Sequence, residues 1–411
     1  MQIKTRALKS PGFLFYEAVM DRYRSNIRKV YVVSLLCNMH FIAAVLVPFF
    51  TDWGRIRFSQ VLFLNAWFMF CVFMLEIPTG TVADFFGRKT SMLLGSVVFI
   101  LAVVVYVSYP SFYVFLVGET IWAMAYTLNS GANEALVYDS LKIIGHEERS
   151  KKVYSRMEAF KMTGILIGAL LGSVLAKYGG LTMPFFSMIV PLSISVVFIA
   201  TLKEPPSEGS VKKSSYSQIL KGGIDFFAQH RILKILTFDM VVIGSFSFLI
   251  IWSYQMLLKE VGIDIIYFGM VHAMMCVAQI AVLESYNRLE NLLGQKRRLL
   301  IATALITGIG FVGLGLSNSA WIIVIIIIVT AGFGLSRTPL YISYMNKFIP
   351  SDKRATVLSV TSMARNIGIG LANLIAAGLA EWSVKYMMIV IGGIILFFTL
   401  ATRVKEEHLT D

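Results

Sequence analysis

Charged residues are scarce in this chain of 411 residues, of which 15% are Asp, Glu, Lys or Arg and 57% are hydrophobic. Soluble proteins of this length carry about a quarter charged residues. The mean hydropathy is +0.72, and apolar runs of about 20 residues, long enough for a helix to cross a bilayer, recur along the chain. The composition excludes a soluble protein and predicts an all-α integral membrane fold, because only helices satisfy their backbone within such runs.

Cysteine is also scarce, and common catalytic motifs are missing. Cys37, Cys71 and Cys276 lie inside apolar runs, at spacings that fit neither a disulfide framework nor a metal site. The sequence contains no HExxH, no nucleophile elbow and no GxxxxGKS phosphate-binding loop. We therefore expect no enzymatic activity, no cofactor and no bound metal.

The net charge of +13 does not indicate nucleic-acid binding. The basic residues are spread over short loops between apolar runs and form no separate basic domain. The first 29 residues contain seven Lys and Arg but no sustained apolar region. They are typical of a cytoplasmic arm and not of a signal peptide.

Twelve apolar segments are each long enough to span a bilayer as a helix. We number them spans one to twelve in chain order: 30–50, 59–83, 90–108, 112–140, 153–176, 182–202, 232–258, 264–286, 298–317, 319–346, 355–379 and 384–402.

The distribution of Lys and Arg predicts the orientation. With the N-terminus inside, the cytoplasmic segments hold 29 of them and the outer loops hold five: Arg55, Arg57, Lys177, Lys259 and Lys385. By the positive-inside rule, both termini are cytoplasmic. We expect a multi-pass protein of the cytoplasmic (inner) membrane.

The longest connection divides the chain into related halves. We predict an N-terminal arm and six-helix bundle at 1–202, a cytoplasmic linker with an amphipathic helix at 203–231, and a six-helix bundle with a short tail at 232–411. The halves are weakly similar in sequence. A shift of 204 residues places span five on span eleven and brings together Glu148 with Asp352, Ser155 with Ser359, Lys161 with Arg365, and Gly164 with Gly368. The two copies are parallel repeats, an arrangement typical of transporters.

The turn between spans two and three contains the most informative motif. GTVADFFGRKTS at 80–91 resembles the G-x-x-x-D-x-x-G-R-K signature of the major facilitator superfamily (MFS). SGANEALVYDSL at 130–141, QMLLKEVGIDIIYFG at 255–269 and PSDKRATVLS at 350–359 are also similar to bacterial and archaeal members. The resemblance covers almost the whole chain. It implies twelve transmembrane helices in two pseudo-symmetric six-helix bundles.

The signature turn is expected to act as a conformational latch. Gly80 would let helices approach closely, and Asp84 would accept hydrogen bonds from a helix N-terminus. The resemblance identifies that helix as span eleven and the latched state as outward-open. Arg88 would pair with Asp139 or Glu134. The alternative is that these charges only fix topology. The candidate latch residues are Gly80, Asp84, Gly87, Arg88, Lys89, Glu134 and Asp139.

The resemblance also implies a central cavity lined by spans one, four, seven and ten. These spans carry polar residues that lipid penalises. The candidate cavity residues are Asn38, His40, Glu119, Trp122, Tyr126, Asn129, Asp239 and Arg337.

Each candidate also has a structural interpretation. His40 is equally consistent with a hydrogen-bonded interior histidine, and the aromatic residues with core packing. Asp239 and Arg337 fit an ion pair, as do Glu158 and Lys161 on span five. The candidate proton sites are Glu119, His40 and Asp239. Glu119 is the first candidate, because its span carries no Lys or Arg that would lower the pKa of its carboxyl group.

These observations predict a secondary transporter that moves a small organic solute by alternating access, with proton-coupled efflux of amphipathic compounds as the leading version. Uptake of a metabolite or sugar by symport or uniport is the alternative, and a non-transporting receptor or scaffold is the remote one. Span five has Gly164, Gly168 and Gly172 on one face but lacks the Gly-Pro motif frequent in drug-proton antiporters, and span four lacks their arginine. The expected partners are the solute, protons and lipid, with no nucleic acid, and we expect a monomer.

Overall fold

The computed structural model describes residues 11–206, 216–350 and 353–409, and within these ranges every regular element is a helix. The all-α membrane architecture expected from the sequence is confirmed. In the described ranges, nine segments are long and apolar enough to cross a membrane, and Val384–Leu400 is a shorter apolar helix. Spans one and four are not among the nine.

The first half of the chain contains spans one to six. Their helices are Pro11–Cys37 and Leu46–Pro48 with a π-helical turn Phe49–Trp53 (span one), Phe58–Phe86 (two), Arg88–Ser108 (three), Phe112–Asn129 and Ala132–Ile143 (four), Ser150–Gly179 preceded by the 3-10 turn Glu147–Arg149 (five), and Met183–Ala200 (six).

The second half repeats this order. Its helices are Arg231–Phe248 and Ile250–Glu260 (span seven), Phe268–Leu293 preceded by the 3-10 turn Ile265–Tyr267 (eight), Lys296–Leu316 (nine), Ala320–Met345 (ten), Arg354–Ala380 (eleven) and Val384–Leu400 (twelve), followed by the 3-10 turn Glu406–His408. The two halves contact each other mainly through spans two and eleven and through spans five and eight.

The predicted amphipathic helix is present as Tyr216–Gln229, which we call the linker helix. It packs against the first turn of span eleven, where the Lys353 ammonium lies 4.9 Å from the centre of the Phe226 ring. We call the end of the molecule that carries this helix the linker face and the opposite end the distal face. Residues 207–215 lie outside the described ranges.

Span one is not the continuous helix that the sequence predicts. Its long helix ends at Cys37, and regular α-helix resumes only at Leu46. The glycine face of span five explains the interruption. A Cβ atom on Gly168 would lie 2.7 Å from the backbone nitrogen of His40, and one on Gly172 would overlap the carbonyl oxygen of Phe41. The backbones of the two spans therefore meet directly in this region, as small residues allow in membranes.

Span four is also divided. Span four breaks at Gly131, whose φ of +74° lies in the left-handed region that glycine adopts without strain. Span seven has only a one-residue irregularity at Leu249, whose φ and ψ stay helical, so Arg231–Glu260 still forms one long span. Two of the four spans that the resemblance assigns to the cavity, one and four, are clearly interrupted, and interrupted helices place backbone polar groups inside a membrane protein.

Candidate functional site: a cavity between the halves

A cavity of about 530 Å³ lies between the two halves of the chain. Span two lines it with Phe68, Met69, Val72 and Glu76, and span four lines it with Tyr126, Thr127 and Ser130. Spans seven, eight, ten and eleven form the opposite wall. The volume lies within the range of about 300–1,000 Å³ typical of small-molecule sites. The wall is mixed: eleven of the twenty lining residues are apolar or glycine, and nine polar or charged side chains converge from both halves.

Glu76 and Arg365 are the charged residues that line this cavity. Glu76 lies ten residues before the end of the helix of span two, and Arg365 lies eleven residues after the start of span eleven. At 1.5 Å per residue, both lie about 15 Å from the linker-face ends of their helices. Glu76 Oε2 and Arg365 Nε are buried and make no hydrogen bond with any described residue. The sequence analysis did not assign either residue to the cavity, although a glutamate next to an apolar run was the available signal.

Among the predicted cavity residues, only Tyr126 lines this cavity. The other predicted residues of spans one and four lie inside the first half in this conformation, and their place in a transport cavity stays a prediction. The rings of His40 and Trp122 meet edge to face with their centres 5.8 Å apart. Asn38 donates a 2.8 Å hydrogen bond to the Ser34 carbonyl oxygen.

The interior position of these residues has a physical reason, since each polar group finds a partner within its own half. Asn129 donates to the Ala125 carbonyl oxygen at 3.0 Å and packs against Gly95 of span three. The Glu119 carboxyl group lies near the Tyr106 hydroxyl group of span three, in the same half. Glu119 and His40 as proton sites remain predictions.

Asp239 and Arg337 do not line this cavity either, and their place in a transport cavity stays a prediction. They form a buried pair within the second half, with Arg337 Nη2 3.4 Å from Asp239 Oδ2. Tyr341 and Thr402 donate their hydroxyl groups to the same carboxylate, while Arg337 also donates to Thr303 Oγ1 at 2.5 Å. This geometry agrees with the structural interpretation of the pair, because its charges are satisfied by neighbouring helices.

Three ion pairs join the halves at the distal face, and we call them the distal gate. Lys177 at the end of span five pairs with Asp264 before span eight. The other members are Lys259 with Asp52, and Arg57 with Glu381, which also accepts a hydrogen bond from Ser59.

Gln255 reinforces the distal gate within the membrane. Its Nε2 donates to the Ala43 carbonyl oxygen at 2.9 Å, and the Val47 backbone N–H donates to its Oε1 at 2.9 Å. One side chain of span seven therefore satisfies two backbone groups at the interruption in span one. Among the described residues, all polar side-chain contacts that join the halves lie in the distal half of the molecule.

The signature turn lies at the linker face. Arg88 Nε is 3.3 Å from Asp139 Oδ2, which confirms one of the two predicted pairings. Gly87 has a φ of +92°, and its backbone turn leads directly into span three. The backbone N–H groups of Arg88 and Lys89 donate to Glu204, at 2.8 Å each, a partner that the sequence analysis missed.

The remaining latch candidates have different outcomes. Glu134 lies exposed in the first turn of the second helix of span four. A Cβ on Gly80 would meet no atom within 4 Å, so this conformation shows no close helix approach at that position. The close approach predicted for the latched state stays a prediction. The side chain of Asp84 lies outside the described part of the structure.

Comparison with known proteins determines the family. The profile of the Major Facilitator Superfamily matches residues 30–373 and 235–410. The chain belongs to this superfamily. Multidrug resistance protein 2 of Bacillus subtilis (strain 168) is 23% identical over 406 residues, which cover 94% of the chain and 98% of that relative.

Solved structures of the superfamily share the fold. A point mutant of the nucleoside transporter NupG superposes with a TM-score of 0.79 at 12% identity, over 92% of this chain and 100% of that one. A D-xylose-proton symporter superposes with a TM-score of 0.68 at 15% identity, over 96% and 98% of the two chains. The protein is a membrane transporter of the MFS type with a small-molecule substrate.

Proposed function

We propose that this transporter exports small amphipathic organic compounds across the cytoplasmic membrane in exchange for protons. The observation that carries the proposal is the cavity between the halves, which is closed at the distal face by ion pairs and by Gln255. Its walls combine apolar side chains with polar and charged ones, which suits amphipathic solutes. The similarity to a protein named for multidrug resistance supports efflux.

The linker face is cytoplasmic in this proposal, as are both termini. The excess of Lys and Arg in the segments on this side supports the orientation. The conformation is then inward-facing, with the distal gate closed toward the outside. One chain supplies both walls of the cavity, so we propose the monomer as the transporting unit.

Transport requires that the two halves, residues 1–202 and 232–411, rock about the cavity between two states. In the outward-open state, the linker-face ends come together and Asp84 contacts the start of span eleven. The Asp84→Asn variant should then insert normally and transport poorly, because losing a charged contact with a helix end costs roughly 0.3–2 kcal/mol in one state only. Wild-type transport by this variant would leave Asp84 as a topology marker.

Glu119 is the proposed proton site. Glu119, Trp122 and Tyr126 follow a helical spacing of i, i+3 and i+7, so Glu119 lies about two turns toward the distal face from a residue that lines the cavity. The Glu119→Gln variant should lose uphill transport and retain downhill exchange of substrate, since exchange needs no net proton transfer. Normal pH-dependent uphill transport by this variant would exclude Glu119.

A vesicle experiment tests coupling and direction together. The purified protein is reconstituted, a panel of amphipathic solutes is added outside, and the internal pH is recorded. Exchange predicts that solute entry raises the internal pH as protons leave, and the Glu119→Gln variant should abolish that rise. Symport would instead acidify the interior, and uniport would leave the pH unchanged.

The orientation has its own test in whole cells. Single cysteines at Tyr109 and Asn318 should react with an impermeant thiol reagent added outside, whereas cysteines at Gly145 and Gly209 should not. The native cysteines are replaced beforehand. A reversed pattern would overturn the assignment of the linker face to the cytoplasm.

A further inference from the structure

The central cavity contains one carboxylate and one guanidinium group that have no described partner. Glu76 comes from the first half and Arg365 from the second, and both lie at a similar depth. Both side chains are partly buried, and one polar atom of each, Glu76 Oε2 and Arg365 Nε, is buried without a hydrogen-bond partner. Ionisable groups inside a membrane protein are costly and usually functional.

The internal repeat shows that the free charge of Arg365 is specific to the second half. The shift of 204 residues that aligns Lys161 with Arg365 also aligns Glu158 with Ser362. Lys161 is paired with Glu158 at 3.4 Å on its own helix. Ser362 cannot neutralise Arg365 and instead lines the cavity beside it. The substitution leaves the guanidinium charge available to a ligand.

We propose that the transported solute is an amphipathic zwitterion, whose ammonium group binds Glu76 and whose carboxylate or phosphate group binds Arg365. The inference rests on the proposed function and names the substrate class of the same cavity. The apolar body of the solute packs against Phe68 of the first half and Phe248 and Ile251 of the second half.

A zwitterion is favoured over a singly charged compound for an electrostatic reason. A cation alone leaves the guanidinium group unpaired in the cavity, and an anion alone leaves the carboxylate unpaired. A zwitterion satisfies both and adds no net charge to the membrane interior. Because its two ends bind different halves, its binding also favours the state in which Glu76 and Arg365 come closest together.

Binding to the purified full-length protein tests the proposal without any gradient. Two series of compounds each keep one apolar body and vary the charge. The first is phenylalanine, phenethylamine and 3-phenylpropionate, and the second is tryptophan, tryptamine and indole-3-propionate. Dissociation constants come from the rise in unfolding temperature with ligand concentration. We expect the zwitterion of at least one series to bind roughly 10- to 100-fold tighter than both singly charged analogues, as expected for one extra charged hydrogen bond.

Charge-neutralising variants test which residue binds which charged end of the zwitterion. Glu76→Gln should weaken the zwitterion to the affinity of the matching acid, and Arg365→Gln should weaken it to that of the matching amine. The controls are Lys161→Gln, at the repeat equivalent of Arg365, and Glu158→Gln, the ion-pair partner of Lys161. Both residues lie outside the cavity lining, and both variants should leave all affinities unchanged. If a cavity variant fails to fold, the order of zwitterion, amine and acid affinities in the wild-type protein still tests the proposal.

Three results would overturn the inference: zwitterions that bind no tighter than both analogues, absence of binding in both series, or a Lys161→Gln variant that behaves like Arg365→Gln. A different result would contradict the proposed function and leave the substrate class intact. A protein that binds zwitterions but moves no protons in the vesicle experiment retains this substrate class and loses the proposed exchange.

Discussion

Glu204 and Glu406 make the same contact in the two halves of the chain. Each follows the last span of its half, and each carboxylate accepts two backbone hydrogen bonds from the first turn of a helix. The donors are Arg88 and Lys89 of span three at 2.8 Å each, and Lys296 and Arg297 of span nine at 2.9 and 2.8 Å. A carboxylate at a helix N-terminus satisfies unpaired N–H groups and interacts favourably with the helix dipole. The repeat therefore extends beyond the spans to the segments that fasten their ends.

The contact of Glu406 should contribute measurably to stability. Glu406→Gln should lower the free energy of unfolding by about 1 kcal/mol, because the negative charge at the start of span nine is lost. Denaturation in mixed micelles measures the change. Glu407→Gln is the control, since that side chain is exposed and pairs with Lys405 in the same segment. Equal effects of the two variants would contradict a specific role for Glu406.

The signature turn shows what sequence reasoning can and cannot supply. The pairing of Arg88 with Asp139 was predictable, because the motif and the positions of the two spans limit the partners. The contact with Glu204 was not predicted, since it depends on how the chain turns after span six. The comparable position of Glu406 after span twelve was a signal in the repeat.

The direct contact between spans one and five makes a second prediction. Gly168→Ala and Gly172→Ala should each destabilise the protein by about 1–3 kcal/mol, because a methyl group at either position overlaps the backbone of span one. Gly393→Ala in span twelve should be neutral or stabilising, since a Cβ there meets no atom within 4 Å. Thermal unfolding of the three purified variants checks this order. Unchanged stability of Gly172→Ala would exclude the close packing.

The interruption of span one could not be predicted from its own residues. The sequence NMHFIAAV at 38–45 contains neither glycine nor proline, and its apolar residues are compatible with a continuous helix. The conformation depends on contacts from elsewhere, namely the glycine face of span five and Gln255 of the other half. The same long-range contacts place His40 inside the first half and away from the cavity.

Gln255 should hold the distal gate closed. Gln255→Leu removes two hydrogen bonds, each with a net value of about 0.5–1.5 kcal/mol, and should shift the equilibrium toward the distal-open state by roughly 5- to 150-fold. Spin labels at Tyr109 and Ser319, exposed on opposite halves at the distal face, would report a longer distance. Gln279→Leu is the control, because Gln279 bonds only within its own half, to the Leu335 carbonyl oxygen. An unchanged distance in Gln255→Leu would show that the ion pairs suffice.

The distal gate should also respond to acid. The hydrogen bond from Lys177 lowers the pKa of Asp264, and the hydrogen bond from Ser59 lowers the pKa of Glu381. When the gate opens, both carboxyl groups return to ordinary pKa values of about 4. A group with a lower pKa in the closed state stabilises that state above its ordinary pKa, and the stabilisation is lost as the pH falls through the lowered value.

The same spin labels measure this response. The distance between Tyr109 and Ser319 should stay short at pH 7 and lengthen only below about pH 4. The double variant Asp264→Asn with Glu381→Gln should be more open at pH 7 and should lose most of the acid response. A response centred near pH 6 to 7 in the wild type would point to histidine and not to these carboxylates.

Three basic residues of the predicted outer loops take part in the contacts between the halves. Arg57, Lys177 and Lys259, three of the five exceptions to the positive-inside distribution, are the cations of the distal gate. A count of charges per loop predicts orientation but cannot identify such partners, which lie in the other half of the chain. Of their acids, Asp52 and Glu381 lie in loops between the predicted spans, and Asp264 is the first residue of predicted span eight.

The buried pair of Asp239 and Arg337 provides the last prediction. Removing one member, as in Asp239→Leu or Arg337→Met, should destabilise the protein by about 3–5 kcal/mol, because the remaining charge is buried without its partner. The double variant should be less destabilised than the sum of the two single-variant effects, since it removes both charges together. A double-mutant cycle measures this coupling from denaturation in mixed micelles. Additive effects would contradict a structural pair. A double variant that folds stably and transports solute, but no longer couples this to protons, would instead assign the pair to coupling, the role that the sequence left open.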